Sequence, residues 1–500
     1  MPELPMPLDY QQTLVKSFTL GGIGLHGAEY AVVRVRPAFA GEGRYFVRVP
    51  DGTNGGRFVF DEGSLLDEAP YEEGITPVPV PEEVEDLKVE WFTTYLAAQE
   101  EQGYIGTFGD FLQQRVLEGQ LEARTRAMML GLPLDDDEPD VEPDLSMEPE
   151  EIEQLDPSDP SLVRATIGSV RQPDYPFTQL GEGDNRVISV ELLLAALEAS
   201  GVDNARIEIE GGHEIPVLDN SALGWCIDIQ CAGLRPAPIR PGSEVAEAAK
   251  MTAAGAAVAE GSDDLVVLRR ELLRLPKAVA VQDEFGWISF FPGPFSKLTA
   301  CADHNLVAPV IGTQWLTWHS DDVHFRYSLA PARAYAESVE ELFSLREQGF
   351  VQAGAEDLFL IAAGDRWWDP AVVRMAYDEP VRYKLSQLVG NLSLLSMNGS
   401  QGIPVGHITA YNASPSLQLS FVQAMLEAVE EGNFTSYGEV IEEQAAWVAV
   451  KYGAFKDAAG ADGLGLAARR SSTSVGGDVV LEYEDEDEME EEEYEDEAEA

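Results

Sequence analysis

One stretch of the chain, Ile188–Leu197, begins like a short strand and continues as an uninterrupted apolar run, which predicts a helix. Ser189 can accept a hydrogen bond from the free N–H groups of the first turn, and Gly201 can take the left-handed conformation that ends a helix. Glu191 then lies in the first turn, where the helix dipole stabilises an anion. A carboxylate in this position is typical of a helix start above a hydrophobic core, so it indicates no chemistry by itself.

Alternating apolar and polar residues predict strands on both sides of this helix. Two of them, Gln11–Phe18 and Tyr30–Pro37, are joined by the glycine-rich bend Gly21–Gly27, and a third is Ala205–Glu210. A single histidine in such a bend, here His26, is typical of a turn or core residue. Strand and helix patterns alternate again in the second half of the chain, so an α/β protein is predicted.

Residues 66–163 differ from their surroundings and are predicted to be an insertion. Pro81–Glu101 and Thr107–Leu130 have helical periodicity and predict a helical hairpin over residues 81–131. The following Asp135–Pro160 is acidic and proline-rich and cannot bury enough apolar surface to order itself, which predicts a disordered tether. The apolar stripe of the hairpin is expected to pack either on its own domain or on another protein.

Composition limits the classes of partner. The chain has 500 residues, 45% of them apolar, and a net charge of −56. Much of this charge is local, because Asp135–Asp159 contains 13 acidic residues and Glu482–Glu499 contains 14. An acidic surface repels nucleic acid and anionic lipid, so neither is expected as a partner. The tail, residues 456–500, is predicted to be disordered.

Cysteine usage and hydropathy bear on the compartment. Cys226, Cys231 and Cys301 are too few for a disulfide framework and lack paired metal-ligand spacing, which favours a reducing compartment. The N-terminus resembles neither a secretory signal nor an organellar presequence, and no apolar run approaches the roughly 18 residues of a spanning helix. The prediction is a soluble protein of the cytoplasm, or of an organelle stroma or matrix if a presequence is missing.

Segments in both halves of the chain carry a family resemblance. The first half contains TLGGIGLHGAEYAVVRVRPAFAGEGRYFVRV, ISVELLLAALEASGVDNARIEIEG and HEIPVLDNSALGWCIDIQCAGL, and the second contains PVRYKLSQLVGNLSLLS and HITAYNASPSLQLSFVQAML. In this order they resemble the two domains of the UDP-3-O-acyl-N-acetylglucosamine deacetylase family of zinc enzymes, known as LpxC. The resemblance implies two similar α/β domains, each an α+β two-layer sandwich of a sheet backed by helices, with the active site in the groove between them.

The resemblance implies deacetylase-like domain I at 10–65 and 164–235 and deacetylase-like domain II at 265–455. The pattern and composition of the other segments predict the inserted hairpin and acidic tether at 66–163, an Ala/Gly-rich linker at 236–264 and the acidic tail at 456–500.

Zinc-assisted amide hydrolysis needs three protein ligands, an open position for water and a carboxylate that takes the proton of that water. The resemblance places the catalytic carboxylate at Glu191 and the first ligand, a histidine in the family, at Leu192. It places the other two ligands, a histidine and an aspartate, at Tyr383 and Gln387, and it retains the family lysine as Lys384. Leucine has no lone pair, and un-ionised tyrosine and neutral glutamine are poor zinc ligands.

Two further family positions are changed. The general-acid histidine falls at Pro415, which cannot carry a proton, and the threonine that helps to hold the oxyanion falls at Ala334. Because all three ligands are replaced, the family zinc is predicted to be absent and the protein is predicted to be non-catalytic. An imidazole-and-carboxylate cluster in the groove would contradict this prediction.

The predicted function is therefore binding, as a scaffold or interaction subunit. Protein partners are expected at the 81–131 hairpin or the acidic segments, and the cleft is more apolar, which permits an acyl or sugar-nucleotide ligand. Glu191 and Lys384 would then be retained for structural reasons, as an ion pair across the groove. Two alternatives remain: a zinc-dependent deacetylase of lipid A biosynthesis with a rearranged metal site, and a sugar-nucleotide or acyl-chain binding protein.

Overall fold

The computed structural model describes residues 10–53, 149–171, 175–243, 256–258, 266–320, 325–352, 358–369, 373–375, 378–430 and 433–447. The predicted hairpin at 81–131 and the acidic tail at 456–500 lie outside these residues. The chain divides into two compact units, Met1–Ala445 and Ala446–Ala500, and the elements below belong to the first unit. Among the described residues, no helix is both long enough and apolar enough to span a bilayer.

Domain I contains a five-stranded sheet and two helices. Its elements are β1 (Gln12–Leu14), β2 (Phe18–Ile23), β3 (Tyr30–Pro37), β4 (Arg44–Arg48), β5 (Leu162–Arg164), β6 (Val170–Arg171), β7 (Gln179–Leu180), β8 (Val187–Ile188), α1 (Glu191–Ala199), β9 (Ala205–Gly211), α2 (Leu223–Ala232) and β10 (Leu234–Pro236). The sheet has the order β2-β3-β9-β4-β5, and β6, β7 and β8 form a small separate sheet. Every second residue of β3 is buried, as the alternating sequence pattern predicts.

Domain II contains a second five-stranded sheet. The elements of this half are β11 (Ala256–Val258), β12 (Val266–Leu268), β13 (Glu271–Leu273), β14 (Val279–Gln282), β15 (Trp287–Pro292), β16 (Lys297–Asp303), β17 (Thr313–His319), α3 (Phe325–Ser328), β18 (Tyr335–Ala336), α4 (Val339–Glu347), β19 (Leu360–Ala363), β20 (Arg366–Trp367), α5 (Glu379–Leu392), β21 (Gly406–Tyr411), α6 (Pro415–Glu427) and β22 (Phe434–Ser436). The sheet order is β14-β15-β21-β16-β17. The strand β11 lies within the predicted linker and pairs with β12.

The two domains repeat one topology. In each large sheet the fifth strand in sequence lies between the second and the third, and it is parallel to the third while all other pairs are antiparallel. A helix precedes this fifth strand in both domains, α1 before β9 and α5 before β21, and another helix follows it, α2 and α6. The predicted fold of two similar two-layer α/β domains is confirmed.

The equivalent helices α1 and α5 cross at very short distance, because the crossing point on α5 is a glycine. A methyl group built on Gly390 would lie 2.9 Å from the Glu191 Cα and would collide with the Glu191 carbonyl oxygen. Only a residue without Cβ lets the two backbones approach this closely. The crossing therefore fixes the first turn of α1 against the last turn of α5, and the candidate site lies beside it.

The start of α1 differs from the prediction, whereas its end agrees with it. The helix begins at Glu191, and the Ser189 side chain does not cap it; Ser189 has a left-handed φ of 59° and its hydroxyl donates to Glu214 at 2.8 Å. Gly201 follows the helix with a φ of 76°, as expected for its end.

The last part of the acidic tether packs on domain I and is not a free segment. Glu150 accepts a hydrogen bond from the Ser17 backbone at 2.7 Å and pairs with Arg34 and Arg36, both at 3.4 Å. Leu155 is buried against apolar side chains of the domain I sheet. The prediction neglected that a few acidic residues can match arginines on the outer face of a sheet, which orders this segment.

Candidate functional site

A small cavity lies beside the α1–α5 crossing, with walls from both domains. Four positions that the sequence assigned to the family's site, Glu191, Leu192, Tyr383 and Gln387, line it together. Its volume is about 60 Å³, which is room for a few water molecules. The residue set predicted from two distant segments of the chain is thus brought to one place.

Glu191 carries a buried carboxylate at this cavity. Its side chain accepts a hydrogen bond from the Thr178 backbone N–H at 2.6 Å, and only 5% of the residue is exposed. Burial raises the pKa of Glu191, and the nearby Glu214 raises it further, against the hydrogen bonds that favour the ionised form. This carboxylate can accept a proton only if something in the cavity supplies one.

The two α5 positions are one turn apart on the same helix face. Tyr383 is packed so that burial, followed by the charge of Glu191, raises the pKa of its phenol well above 10, so the side chain remains neutral. Gln387 presents an amide, and Leu192 presents hydrocarbon. Zinc sites are built from thiolate, imidazole and carboxylate donors, so this set of side chains does not fit the metal.

Glu214 is a second carboxylate of the cavity that the sequence analysis did not identify. It accepts hydrogen bonds from the backbone N–H groups of His26 and Gly27 at 2.9 Å and from the Ser189 hydroxyl at 2.8 Å. A Cβ on Gly24 would lie 2.7 Å from the Glu214 Cβ, so the glycine-rich bend closes tightly around this carboxylate. The only signal in the sequence was a glutamate in a strand that follows a glycine-rich bend, and such a contact over nearly two hundred residues cannot be found by local reasoning.

His26 also lines the cavity, beside an aromatic wall. Its ring lies 4.5 Å from the ring of Phe177 and 6.0 Å from that of Phe350, and its Nδ1 accepts from the Val351 backbone N–H at 3.4 Å. Burial lowers its pKa to about 4, so the imidazole is neutral near pH 7. His26 is therefore a core histidine of the kind that the bend predicts.

One imidazole, of His26, and two carboxylates, of Glu191 and Glu214, thus line the cavity. Both oxygens of Glu214 are held by N–H and O–H donors, and His26 Nδ1 accepts a backbone hydrogen bond. In the part of the chain that the structure describes, no group of three or more His, Cys, Asp or Glu side chains is arranged to hold a metal ion. The side chains of His26, Glu191 and Glu214 thus form hydrogen bonds with the surrounding protein.

The remaining predicted positions, Lys384, Ala334 and Pro415, are not among the residues that line this cavity. Lys384 does not face Glu191 as expected; its ammonium lies 5.7 Å from the ring centre of Tyr335, near the carboxylates of Glu337 and Glu341. Burial lowers the pKa of Lys384, and these two carboxylates oppose the shift. The expected ion pair with Glu191 is not formed, because the Lys384 side chain extends towards Tyr335, Glu337 and Glu341 instead.

Ala334 and Pro415 have structural surroundings. Ala334 is buried, and its backbone N–H donates to the Asn220 carbonyl at 3.4 Å behind the cavity wall. Pro415 is the first residue of α6, directly after Ser414, whose hydroxyl accepts from the Leu417 backbone N–H at 3.2 Å. A proline at this position suits the first turn of a helix.

The similarity to known proteins extends over parts of both domains. The family model described as "LpxC: UDP-3-O-acyl N-acetylglycosamine deacetylase" matches residues 151–259 and 237–427. A UDP-3-O-acyl-N-acetylglucosamine deacetylase of Trichormus variabilis is 32% identical over 276 residues, which is 55% of this chain and 85% of the relative. A probable mitochondrial deacetylase of Arabidopsis thaliana is 32% identical over 247 residues, 48% of this chain and 68% of the relative. A Synechocystis deacetylase is 30% identical over 250 residues, 50% of this chain and 77% of the relative.

Proposed function

The chain belongs to the UDP-3-O-acyl-N-acetylglucosamine deacetylase family, and we propose that it is a non-catalytic member whose function is binding. The observation that supports this proposal is the donor set of the cavity. At the positions that the resemblance assigns to the three family ligands, the cavity is lined by a hydrocarbon, a neutral phenol and an amide, next to the glutamate at residue 191. Without a metal, the glutamate has only unactivated water to deprotonate and no electrophile polarises the amide.

The size of the cavity supports the same proposal. A space of about 60 Å³ is far below the roughly 300 Å³ or more of ordinary small-molecule pockets. A sugar nucleotide or acyl chain therefore needs the cleft to open before it can reach Glu191. Binding of a protein partner at the outside of the molecule requires no such opening.

The surfaces proposed for a partner are the 81–131 hairpin and the acidic segments. The packed end of the tether anchors the insertion on the outer face of domain I through the ion pairs of Glu150. Deletion of residues 81–131, with this anchor retained, is expected to abolish recovery of the partner while leaving the melting temperature of the remainder unchanged. Equal recovery with and without the hairpin would remove it from the proposal.

The catalytic part of the proposal is tested by metal analysis and a deacetylase assay on the purified full chain. The expected result is less than stoichiometric zinc and no turnover of the acylated sugar nucleotide. The matched variant restores all three ligands, Leu192→His, Tyr383→His and Gln387→Asp, and is expected to bind one zinc per chain. Stoichiometric zinc together with turnover in the unmodified protein would establish the rival function, a deacetylase with a rearranged site.

A further inference from the structure

A second and larger pocket lies on the other side of the aromatic wall, at the small sheet of β6, β7 and β8. Its volume is about 610 Å³, within the range of sites that hold small molecules. Arg171 and Arg186 line it with Tyr175, Phe177 and Glu182. It includes none of the positions assigned to the family's ligand set, and it shares one lining residue, Phe177, with the cavity at Glu191.

The charge of this lining is opposite to that of the chain. The whole sequence has 33 Lys and Arg against 89 Asp and Glu, whereas the described residues that line the pocket include two guanidinium groups and one carboxylate. That carboxylate, Glu182, pairs with Arg171 Nε, and Arg171 Nη1 donates to the carbonyls of Gly168 and Val170. Among the described residues, the Arg186 side chain has one hydrogen-bond partner, the Gly183 carbonyl, to which Nη1 donates at 3.0 Å. The Arg186 guanidinium therefore keeps donors for an anion.

The walls of the pocket are aromatic. The rings of Tyr175 and Phe177 lie 5.3 Å apart at an angle of 72°, and each also packs on Phe350, at 5.6 and 5.7 Å. An aromatic surface favours the flat face or edge of another ring, and a planar guanidinium binds the oxygens of phosphate or carboxylate with directed hydrogen bonds. The two features together select a ligand that combines a ring with an oxyanion.

Phe177 belongs to both cavities. One side of its ring contacts His26 in the wall of the small cavity, and the residue lines the larger pocket as well. A ligand in the larger pocket thus contacts a side chain that also lines the small cavity.

We propose that the pocket at β6–β8 binds a small anion that carries a flat ring, held by the Arg171 and Arg186 guanidinium groups and the rings of Tyr175 and Phe177. The oxyanion is a phosphate or a carboxylate. This site extends beyond the proposed loss of catalysis and is independent of it, since no residue of the zinc-ligand set takes part.

The test is isothermal titration calorimetry and ligand-observed NMR on the full chain with four probes: phenyl phosphate, benzoate, inorganic phosphate and phenol. Saturable one-to-one binding is expected for one or both ring-bearing anions, and at least tenfold weaker binding for phosphate alone and for neutral phenol. A preference between phenyl phosphate and benzoate identifies the oxyanion. Absence of saturable binding by both would overturn the proposal.

Variants assign the binding to this pocket. Arg186→Gln removes one internal hydrogen bond only and is expected to weaken the bound probe about tenfold, as is Tyr175→Ala, because charge-assisted hydrogen bonds and ring contacts each contribute at this level. Arg366→Gln, an exposed arginine of β20, is the matched control and is expected to change nothing. Melting curves verify that each variant is folded, and equal affinity in the parent, Arg186→Gln and Tyr175→Ala proteins would contradict the assignment.

Discussion

Glu191 and Glu379 have different surroundings, although each is the first residue of the helix that precedes the fifth strand of its domain. Glu379 is fully buried and pairs with Arg333 at 3.3 Å, and it also accepts from the backbone N–H groups of Arg374 and Met375. Glu191 has its backbone hydrogen bond from Thr178, while Glu214 adds a second negative charge nearby. The carboxylate at residue 191 is therefore retained at a cost in stability.

Replacing that carboxylate by its neutral isostere is expected to stabilise the protein. Burial raises the pKa of Glu191 in the folded state above the unfolded value of about 4.3, so the cost is absent below that pH and grows as the pH rises. Glu191→Gln should increase the free energy of unfolding at pH 7, and the difference from the parent should shrink as the pH falls towards 4. Urea unfolding across this pH range measures it.

The control for this experiment is Glu284→Gln, which changes an exposed glutamate between β14 and β15. No pH-dependent gain is expected there. A Glu191→Gln variant less stable than the parent at pH 7 would show that the ionised carboxylate is stabilised by its surroundings, against the direction of the pKa shift.

The contribution of His26 to the free energy of unfolding changes with pH in the opposite direction to that of Glu191. Its pKa falls from about 6.5 in the unfolded chain to about 4 in the fold, because burial disfavours the imidazolium. The contribution to stability is complete above pH 6.5 and is lost as the pH falls towards 4, by up to about 3 kcal/mol. In His26→Asn, this part of the pH dependence is expected to disappear, although the variant is less stable at pH 7 because it loses the ring contact with Phe177.

The comparison is made between unfolding curves of the parent and the variant from pH 4 to 7. His319→Asn removes an exposed histidine of β17 and should retain the slope of the parent. Parallel curves for the parent and His26→Asn would exclude a buried neutral imidazole at this position.

At the scale of elements, the α1–α5 crossing joins the two domains and depends on one glycine. Alanine normally stabilises a helix interior by up to about 1 kcal/mol relative to glycine. At residue 390 the added methyl group meets the backbone of Glu191, which cannot move as a side chain can. Gly390→Ala is therefore expected to lower the free energy of unfolding by about 3 kcal/mol, because it separates the helices.

Gly224→Ala in α2 is the matched control, since its new methyl group meets only the flexible Leu218 side chain at 3.1 Å. Its stability should change by less than about 1 kcal/mol. Thermal and urea unfolding distinguish the two variants. Equal effects would show that the helices do not cross as closely as the structure describes.

Elements also show what the sequence can and cannot predict. Tyr383 and Gln387 are four residues apart, so helical periodicity alone places them on one face, and the apolar run after Glu191 predicts the helix that meets them. The surroundings of the Lys384 ammonium were not predicted. Its carboxylate neighbours, Glu337 and Glu341, come from a segment whose packing depends on long-range contacts. Glu214 was missed for the same reason, since its partners are backbone groups of a distant bend.

At the scale of the whole molecule, the question is whether any metal stabilises the fold. A ligand that binds only the folded state raises its stability by RT ln(1 + [L]/Kd), which is about 2.7 kcal/mol at a hundredfold excess over Kd. If leucine, tyrosine and glutamine occupy the ligand positions, as we propose, the melting temperature is expected to be the same in excess EDTA and in micromolar zinc. The variant with Leu192→His, Tyr383→His and Gln387→Asp should instead melt several degrees higher with zinc than with EDTA.

The restored variant distinguishes two explanations for a parent protein that does not respond to zinc. Either the ligands have been replaced at the correct positions, or the ligand positions have been assigned to the wrong residues. If zinc stabilises the variant and not the parent, the three positions converge closely enough to hold a metal and only their chemistry has changed. The parent would have to be read as a metalloprotein if EDTA lowered its melting temperature. If zinc does not raise the melting temperature of the variant, the three side chains are too far apart to hold a metal. The assignment of Leu192, Tyr383 and Gln387 to the ligand positions would then be wrong.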